Sequence, residues 1–150
     1  MIKTAIFVEG QTELIFVREM LLKMFGYQNI SLECYTLFTD SNFNSTEYPF
    51  PNPEAEYYFQ IINVGNDASV LTRMLRRQRQ LFKSGFSKII GLRDMYSREY
   101  RKLSKGAEIN QELNQKFILA HRNQITSTNV FFLFCNNGNR SLDFRLSKYL

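Results

Sequence analysis

The sequence contains few residues that bind soft metals or form disulfides. Of its 150 residues, one is histidine, two are cysteine and none is tryptophan. The single histidine, His121, argues against a zinc cluster or a Ser-His-Asp triad, so oxygen ligands for Mg²⁺ or Mn²⁺ become the natural alternative. Cys34 and Cys135 are far apart in sequence and lie in apolar surroundings. They are predicted to be reduced, buried thiols rather than a disulfide.

Long hydrophobic runs are also missing. No apolar run reaches the ~20 residues that a membrane span needs. Glu9 interrupts the apolar run near the N-terminus, which argues against a signal peptide. A cytoplasmic location without membrane attachment is therefore expected. A hydrophobic content of 44% over 150 residues suits one globular domain. The formal net charge of +5 fits a polyanionic partner such as nucleic acid, and it fits an ordinary basic protein equally well.

Hydrophobic patterns alternate between strand and helix along the chain. Strand patterns cover residues 3–8, 31–38, 57–64, 88–92 and 129–135, and helical patterns cover residues 12–25, 68–83 and 109–125. This alternation predicts a three-layer α/β domain over residues 1–135, with a mostly parallel central sheet of about four strands. Residues 40–56 contain all three prolines and are predicted to form a surface loop or insertion. In the first helix one broad apolar stripe is expected, formed by Ile15, Phe16, Met20, Leu21 and Met24.

Three acidic residues follow predicted strands. Glu9 ends the first strand, Glu13 lies in the first turn of the next helix, and Asp94 follows the strand at residues 88–92. Gly10 is expected to permit a tight turn. Glu13 alone has another explanation, since acids near a helix N-terminus favour the macrodipole. Asp94 alone is typical of a solvated loop residue.

Together the three acids predict a metal site. The carboxyl ends of parallel strands meet at one edge of a sheet, where ligand sites are found. Two carboxylates held close there repel by roughly 4 kcal/mol at an effective dielectric of about 20, and a divalent cation removes that cost. Glu9, Glu13 and Asp94 are therefore candidate ligands of a hard cation.

Two segments carry a family resemblance. Residues 7–13 (FVEGQTE) resemble the first motif of the Toprim fold, and the most similar examples are the Toprim domains of OLD-type (overcoming lysogenization defect) nucleases and related bacterial defence proteins. The second Toprim motif is a strand followed by Asp-x-Asp. Its counterpart is residues 89–96 (IIGLRDMY), where Asp94 matches the first acid and Tyr96 replaces the second. By element order the resemblance spans most of the chain.

The resemblance implies a fold, an activity and roles for residues. It implies a Toprim-like, Rossmann-like fold and metal-dependent phosphodiester cleavage of the nuclease type, with Mg²⁺ or Mn²⁺ as cofactor and nucleic acid as substrate. Glu9 would be a metal ligand or general acid/base, and Glu13 and Asp94 would be metal ligands. A partner protein such as an ATPase and a role in phage defence belong to the same expectation.

Basic and aromatic residues near the Asp94 strand are further candidates. Arg98, Arg101, Lys102 and Lys105 follow that strand and are candidates for guiding nucleic acid. Tyr96 and Tyr100 are placed where stacking on a base is conceivable. The helix at residues 68–83 is also basic, and a solvated helix face is favoured over phosphate contact as the explanation. His121 lies beside Phe117 and is predicted to be a satisfied, partly buried histidine.

The segment at residues 136–150 departs from the resemblance. Relatives often continue after the last core strand with Met-Glu-x-Glu-Ala-Trp, whereas residues 136–144 are NNGNRSLDF. Codons for these nine residues can be chosen so that a one-base shift yields Ile-Met-Glu-Ile-Glu-Ala-Trp-Ile. We therefore hypothesise a frameshift that makes residues 136–150 out of frame and the domain truncated and inactive. The alternative is a genuine polar tail.

Two other functional classes stay open. A catalytically degenerate module that binds nucleic acid or a partner protein would keep the fold without the chemistry. A small metal-dependent phosphatase of receiver-like topology would need an aspartyl nucleophile near the end of the first strand, where Glu9 stands instead.

Overall fold

Strands and helices alternate along much of the chain, but three strands follow one another between residues 30 and 63 and two helices follow one another between residues 98 and 122. A computed structural model describes residues 1–38, 42–46, 48–95, 98–104 and 110–135. The strands are β1 (Ile2–Val8), β2 (Ile30–Leu37), β3 (Phe43–Ser45), β4 (Tyr57–Asn63), β5 (Phe86–Asp94) and β6 (Val130–Cys135). The α-helices are α1 (Gln11–Met24), α2 (Val70–Lys83), α3 (Arg98–Ser104) and α4 (Gln111–Arg122), and a 3-10 turn (Asp67–Ser69) precedes α2. The short helix α3 was not anticipated from the sequence.

The strands form one mostly parallel sheet in the order β3-β2-β4-β1-β5-β6. Every neighbouring pair is parallel except β2 with β3. The α/β class and the mostly parallel sheet are therefore confirmed, but the expected count of about four strands is wrong because the described residues form six. The unexpected strand, β3, lies inside the predicted loop at residues 40–56. It pairs through its backbone and has no apolar pattern that could reveal it.

The connection from β2 to β4 determines which part of the sheet is covered. After β3 the chain runs back along β2, where Phe50 forms an antiparallel bridge with Leu32. This return brings the chain to the end of the sheet where β4 must begin, so no crossover helix is needed. The helices therefore cover the sheet unevenly. Helix α1 packs against β4 and β2 on one face, whereas α2 packs against β5 and β1.

The two faces of the sheet carry separate cores. Strand β1 is buried from Thr4 to Val8, as expected for a strand with helices on both sides. One face packs on α1 through Leu14, Val17, Leu21 and Leu22. The other face packs on α2 through residues that include Val70, Leu71, Met74 and Leu81.

The predicted apolar stripe of α1 is wrong in part. Leu21 is buried and Met20 is half-buried, but Ile15, Phe16 and Met24 are exposed. Apolar residues surround much of this helix, so their periodicity does not select one face. The spacing of Leu14, Val17 and Leu21 matches the face that the sheet covers.

A third, smaller core lies beside β6. Met95, Tyr100 and Phe117 are buried there, joining the end of β5 to α3 and α4. Among the described helices, none combines the length and apolar character that crossing a bilayer requires.

Candidate functional site

Glu9 and Asp94 lie at the same edge of the sheet. Strands β1 and β5 are parallel neighbours, with Phe7 opposite Gly91. Asp94 is the last residue of β5, and Glu9 directly follows β1. The backbone N–H of Asp94 donates a hydrogen bond to Oε1 of Glu9. The expectation that these two acids meet at one carboxyl edge is therefore confirmed, while their role as metal ligands stays a prediction.

The alternation along β5 places the Asp94 side chain on the face that α1 covers. Ile90 and Leu92 both belong to the core on that face, and Asp94 follows at the same two-residue spacing. Cys135 is the register partner of Asp94 on β6. Its neighbour Leu133 packs against the same core, so Cys135 lies on that face as well.

Glu13 approaches this edge from the first turn of α1. The side chain of Glu13 is exposed, and its Oε2 lies 3.0 Å from the position that a Cβ on Gly10 would occupy. Gly10 itself has φ −153° and ψ −176°, an extended conformation that any residue adopts. The expectation that glycine serves a tight turn here is therefore wrong. A Cβ at this position would contact the flexible end of the exposed Glu13 side chain, which can move aside.

The pKa of the Cys135 thiol reflects the negative charge of the three acids. Its pKa is raised from 9.0 to about 12, mainly by burial. Nearby negative charge raises it further, from the carboxylates of Glu9, Asp94 and Glu13 in that order. The thiol therefore stays protonated near neutral pH. Sequence reasoning did not connect Cys135 with the acids, although it ends the last core strand as Asp94 ends β5.

Both cysteines are free, as predicted. Cys34 is buried, whereas Cys135 is only partly buried. Cys34 on β2 and Cys135 on β6 are separated by four strand spacings in the sheet order. Four spacings correspond to roughly 19 Å, far beyond the ~7 Å limit between Cα atoms of a disulfide.

The oxygen atoms of the three acids suit a hard cation, whereas the arrangement of their side chains suits it less well. Carboxylate oxygens are the donors that Mg²⁺ and Mn²⁺ prefer. Within the part of the chain that the structure describes, however, no group of three or more His, Cys, Asp or Glu residues is arranged to hold a metal ion. One oxygen of Glu9 also already accepts the Asp94 N–H. A cation would therefore have to recruit the other Glu9 oxygen and reorient Glu13 or Asp94.

Arg93 adds a buried positive charge next to Asp94. Its Nη1 lies 2.6 Å from Nε2 of His121, and Nδ1 of His121 lies 2.8 Å from the Phe117 carbonyl oxygen. Because a guanidinium only donates, Nε2 accepts and the Nδ1–H group donates to the carbonyl. His121 is therefore neutral and bonded through both nitrogens. The prediction of a satisfied, partly buried histidine is confirmed.

The basic candidates follow the site in sequence. Arg98 begins α3, and Arg101 and Lys102 are exposed on that helix. Lys105 and Tyr96 lie outside the described residues, as do residues 136–150 with the proposed frameshift. Tyr100 is buried and packs edge-on against Phe117, with ring centroids 5.8 Å apart. The suggestion that Tyr100 stacks on a base is therefore wrong.

Comparison with known proteins gives no relative: the chain matches no family model, no curated protein and no solved structure significantly. The Toprim resemblance therefore depends on its two motifs and on the carboxyl-edge geometry.

Proposed function

We propose that this chain is a Toprim-like domain that cleaves phosphodiester bonds of nucleic acid with Mg²⁺ or Mn²⁺ as cofactor. The main support is the hydrogen bond between Glu9 and Asp94, which are 85 positions apart in the sequence. It joins the acids of both resembling motifs at the edge where α/β folds bind ligands. An ATPase or another protein as partner, and a role in phage defence, follow from the resemblance alone.

Each acid has a distinct part in this proposal. A bound cation would lower the pKa of a water molecule and neutralise charge on the phosphodiester. Glu9 is held through Oε1 by the Asp94 N–H, and in this proposal its carboxylate binds the cation or transfers a proton. Glu13 and Asp94 would complete the oxygen ligands. Arg101 and Lys102, with Arg98 and Lys105, would attract the phosphate backbone.

Replacement of Glu9 tests the proposed cleavage. Glu9→Gln keeps the size of the side chain and removes its charge, so we expect metal-dependent cleavage to fall by about 100-fold or more. Cleavage of single- and double-stranded DNA and RNA would be measured with Mg²⁺, with Mn²⁺ and with EDTA. Glu112→Gln is the matched control, because Glu112 is an exposed acid on α4 that pairs with Lys116. Equal cleavage by both variants contradicts the assignment of Glu9.

A catalytically degenerate binding module is the second candidate. It is favoured by the lack of a ready metal-binding group among the described side chains and by the use of one Glu9 oxygen in a backbone hydrogen bond. In that case the unmodified chain retains nucleic acid without cleaving it in either metal. Replacement of Arg101 and Lys102 by alanine is then expected to weaken binding and to reduce its salt dependence by up to about two counterions.

A further inference from the structure

A polar cleft lies on the face of the sheet that α2 covers only in part. Its volume is about 630 Å³, within the range of small-molecule sites. The cleft exists because β3 returns the chain beside β2, so no crossover helix covers that face of β2 and β4. The residues that line it include Lys3, Glu33, Phe43, Tyr58, Gln60 and Arg77. Lys3 and Phe86 line the cleft near the amino ends of β1 and β5, whereas Glu9 and Asp94 lie at the carboxyl ends, so the cleft is a separate site.

On one wall of the cleft the Glu33 carboxylate presents hydrogen-bond acceptors, and its register partner Gln60 can also donate. The hydroxyl groups of Tyr35 and Tyr58 both donate to Oε2 of Glu33, each over 2.6 Å. Burial, and then the bond to Glu33, raise the pKa of Tyr35 to about 12 and shift the pKa of Tyr58 in the same direction. Both phenols therefore keep their protons at neutral pH, and both protons are donated in hydrogen bonds to Glu33. What remains for a ligand is the other Glu33 oxygen and the phenolic lone pairs.

The cleft also carries positive charge. Arg77 is buried on α2, and its guanidinium carbon lies 4.0 Å from the centre of the Phe43 ring. Lys3 lines the floor from β1, in register with Tyr58 on β4. A buried guanidinium and a lysine in one cleft suit a phosphate group. A matching ligand thus has hydrogen-bond donors at one end and an anionic group at the other.

We propose that this cleft binds a guanine nucleotide. Guanine presents two adjacent donors, N1–H and the 2-amino group, on its Watson–Crick edge. Guanine also carries the acceptor O6 on this edge, but adenine, cytosine and uracil lack two adjacent donors, so each would set an acceptor against the Glu33 carboxylate. A site that hydrogen-bonds a pair of donors disfavours bases that lack the pair. The phosphate of the nucleotide would lie towards Arg77 and Lys3.

Calorimetric titration with GMP and AMP tests the base specificity. We expect GMP to bind the full chain at least about tenfold more tightly than AMP, because only guanine places two adjacent donors against the Glu33 carboxylate. The titration contains EDTA, so its result does not depend on metal binding at the carboxyl edge. Absence of GMP binding at millimolar concentration overturns the proposal, and so does equal affinity for the two nucleotides.

Two variants locate the binding. Glu33→Gln places an amide N–H₂ against the guanine donors and is expected to weaken GMP binding about tenfold or more, whereas the control Glu112→Gln leaves it unchanged. Lys3→Ala is expected to weaken GMP but not guanosine, because only GMP carries the phosphate. Circular dichroism would verify that each variant is folded. Unchanged GMP affinity in folded Glu33→Gln contradicts the proposed site.

A competition experiment identifies the source of the guanine. A short oligo-dG that displaces GMP assigns the cleft to guanines within single-stranded nucleic acid. GMP binding that oligo-dG does not displace assigns it to a free nucleotide.

Discussion

At the scale of single residues, Gly91 shows how closely the layers pack. A Cβ at this position would lie 2.6 Å from Cδ2 of Phe132 and 2.9 Å from Sδ of Met74. Phe132 comes from the neighbouring strand β6 and Met74 from α2. The backbone of β5 therefore touches α2 and β6 where any side chain would intrude. Gly91 lies in the strand that ends at Asp94, so this packing also positions the candidate site.

Substitution of Gly91 tests this close packing. Gly91→Ala is expected to lower the free energy of unfolding by about 1–3 kcal/mol, because the new methyl group overpacks the core. Urea denaturation would measure the change. Adding Phe132→Leu, which removes the nearest ring, is expected to restore part of the loss. A Gly91→Ala protein as stable as the unmodified chain would show that Phe132 and Met74 can move to accommodate the methyl group.

At the same scale, the carboxyl edge depends on a contact that no spacing reveals. The sequence indicates that Glu9 and Asp94 each end a strand, but adjacency of β1 and β5 brings them together. Gly10 illustrates the limit of residue type as a signal. Its glycine suggested a turn, whereas its backbone conformation is one that any residue adopts.

At the scale of elements, α4 begins at a well-formed cap. The Oδ1 atom of Asn110 accepts a hydrogen bond of 3.0 Å from the Leu113 N–H. The helix then places Phe117 in the third core and His121 against Arg93. The cap therefore stabilises the start of the helix whose His121 contacts the buried Arg93.

Removal of the cap is expected to destabilise the domain. Asn110→Ala leaves the Leu113 N–H without its side-chain acceptor and should cost about 1 kcal/mol, with a range of ~0.5–2 kcal/mol. Asn110→Asp keeps a capping oxygen and serves as the matched control. Urea denaturation would compare the three proteins. Equal losses in the alanine and aspartate variants would show that the cap is not the cause.

At the scale of the whole molecule, proton binding links the polar cleft to stability. Tyr35 has a pKa raised from 10.0 to about 12, and the pKa of Tyr58 is raised as well, because both are desolvated and bonded to Glu33. Above the ordinary tyrosine pKa, the folded chain therefore binds more protons than the unfolded chain. The stability that these two phenols contribute is fully present below about pH 10 and is lost as the pH rises towards about 12.

Phenylalanine at both positions is expected to reduce this pH dependence. The free energy of unfolding of the double variant Tyr35→Phe, Tyr58→Phe should fall less steeply above about pH 10 than that of the unmodified chain. Urea denaturation over a series of pH values measures the slope. Tyr27→Phe, at an exposed tyrosine, is the control. Cys34 and Cys135 have raised pKa values in all of these proteins and give a common background. Identical slopes in the double variant and the control contradict the linkage.

The sequence alone determined the class of the fold and the candidate acids. Continuous apolar runs such as those of β1 and β5 can be buried only between helices, so alternation of strands and helices already implied an α/β sheet with ligand sites at its carboxyl edge. The satisfied, partly buried state expected for His121 also followed from its helical neighbours. These features depend on residues close together in the chain.

The tertiary structure decided what depends on contacts between distant segments. It showed that β3 pairs with β2 through backbone groups, that α1 buries Leu14 and Val17 instead of Ile15 and Phe16, and that Cys135 lies beside three carboxylates. It also brought Glu33 and Tyr58 together across β2 and β4. Strand order and side-chain burial arise from packing of the whole chain, which local periodicity does not encode.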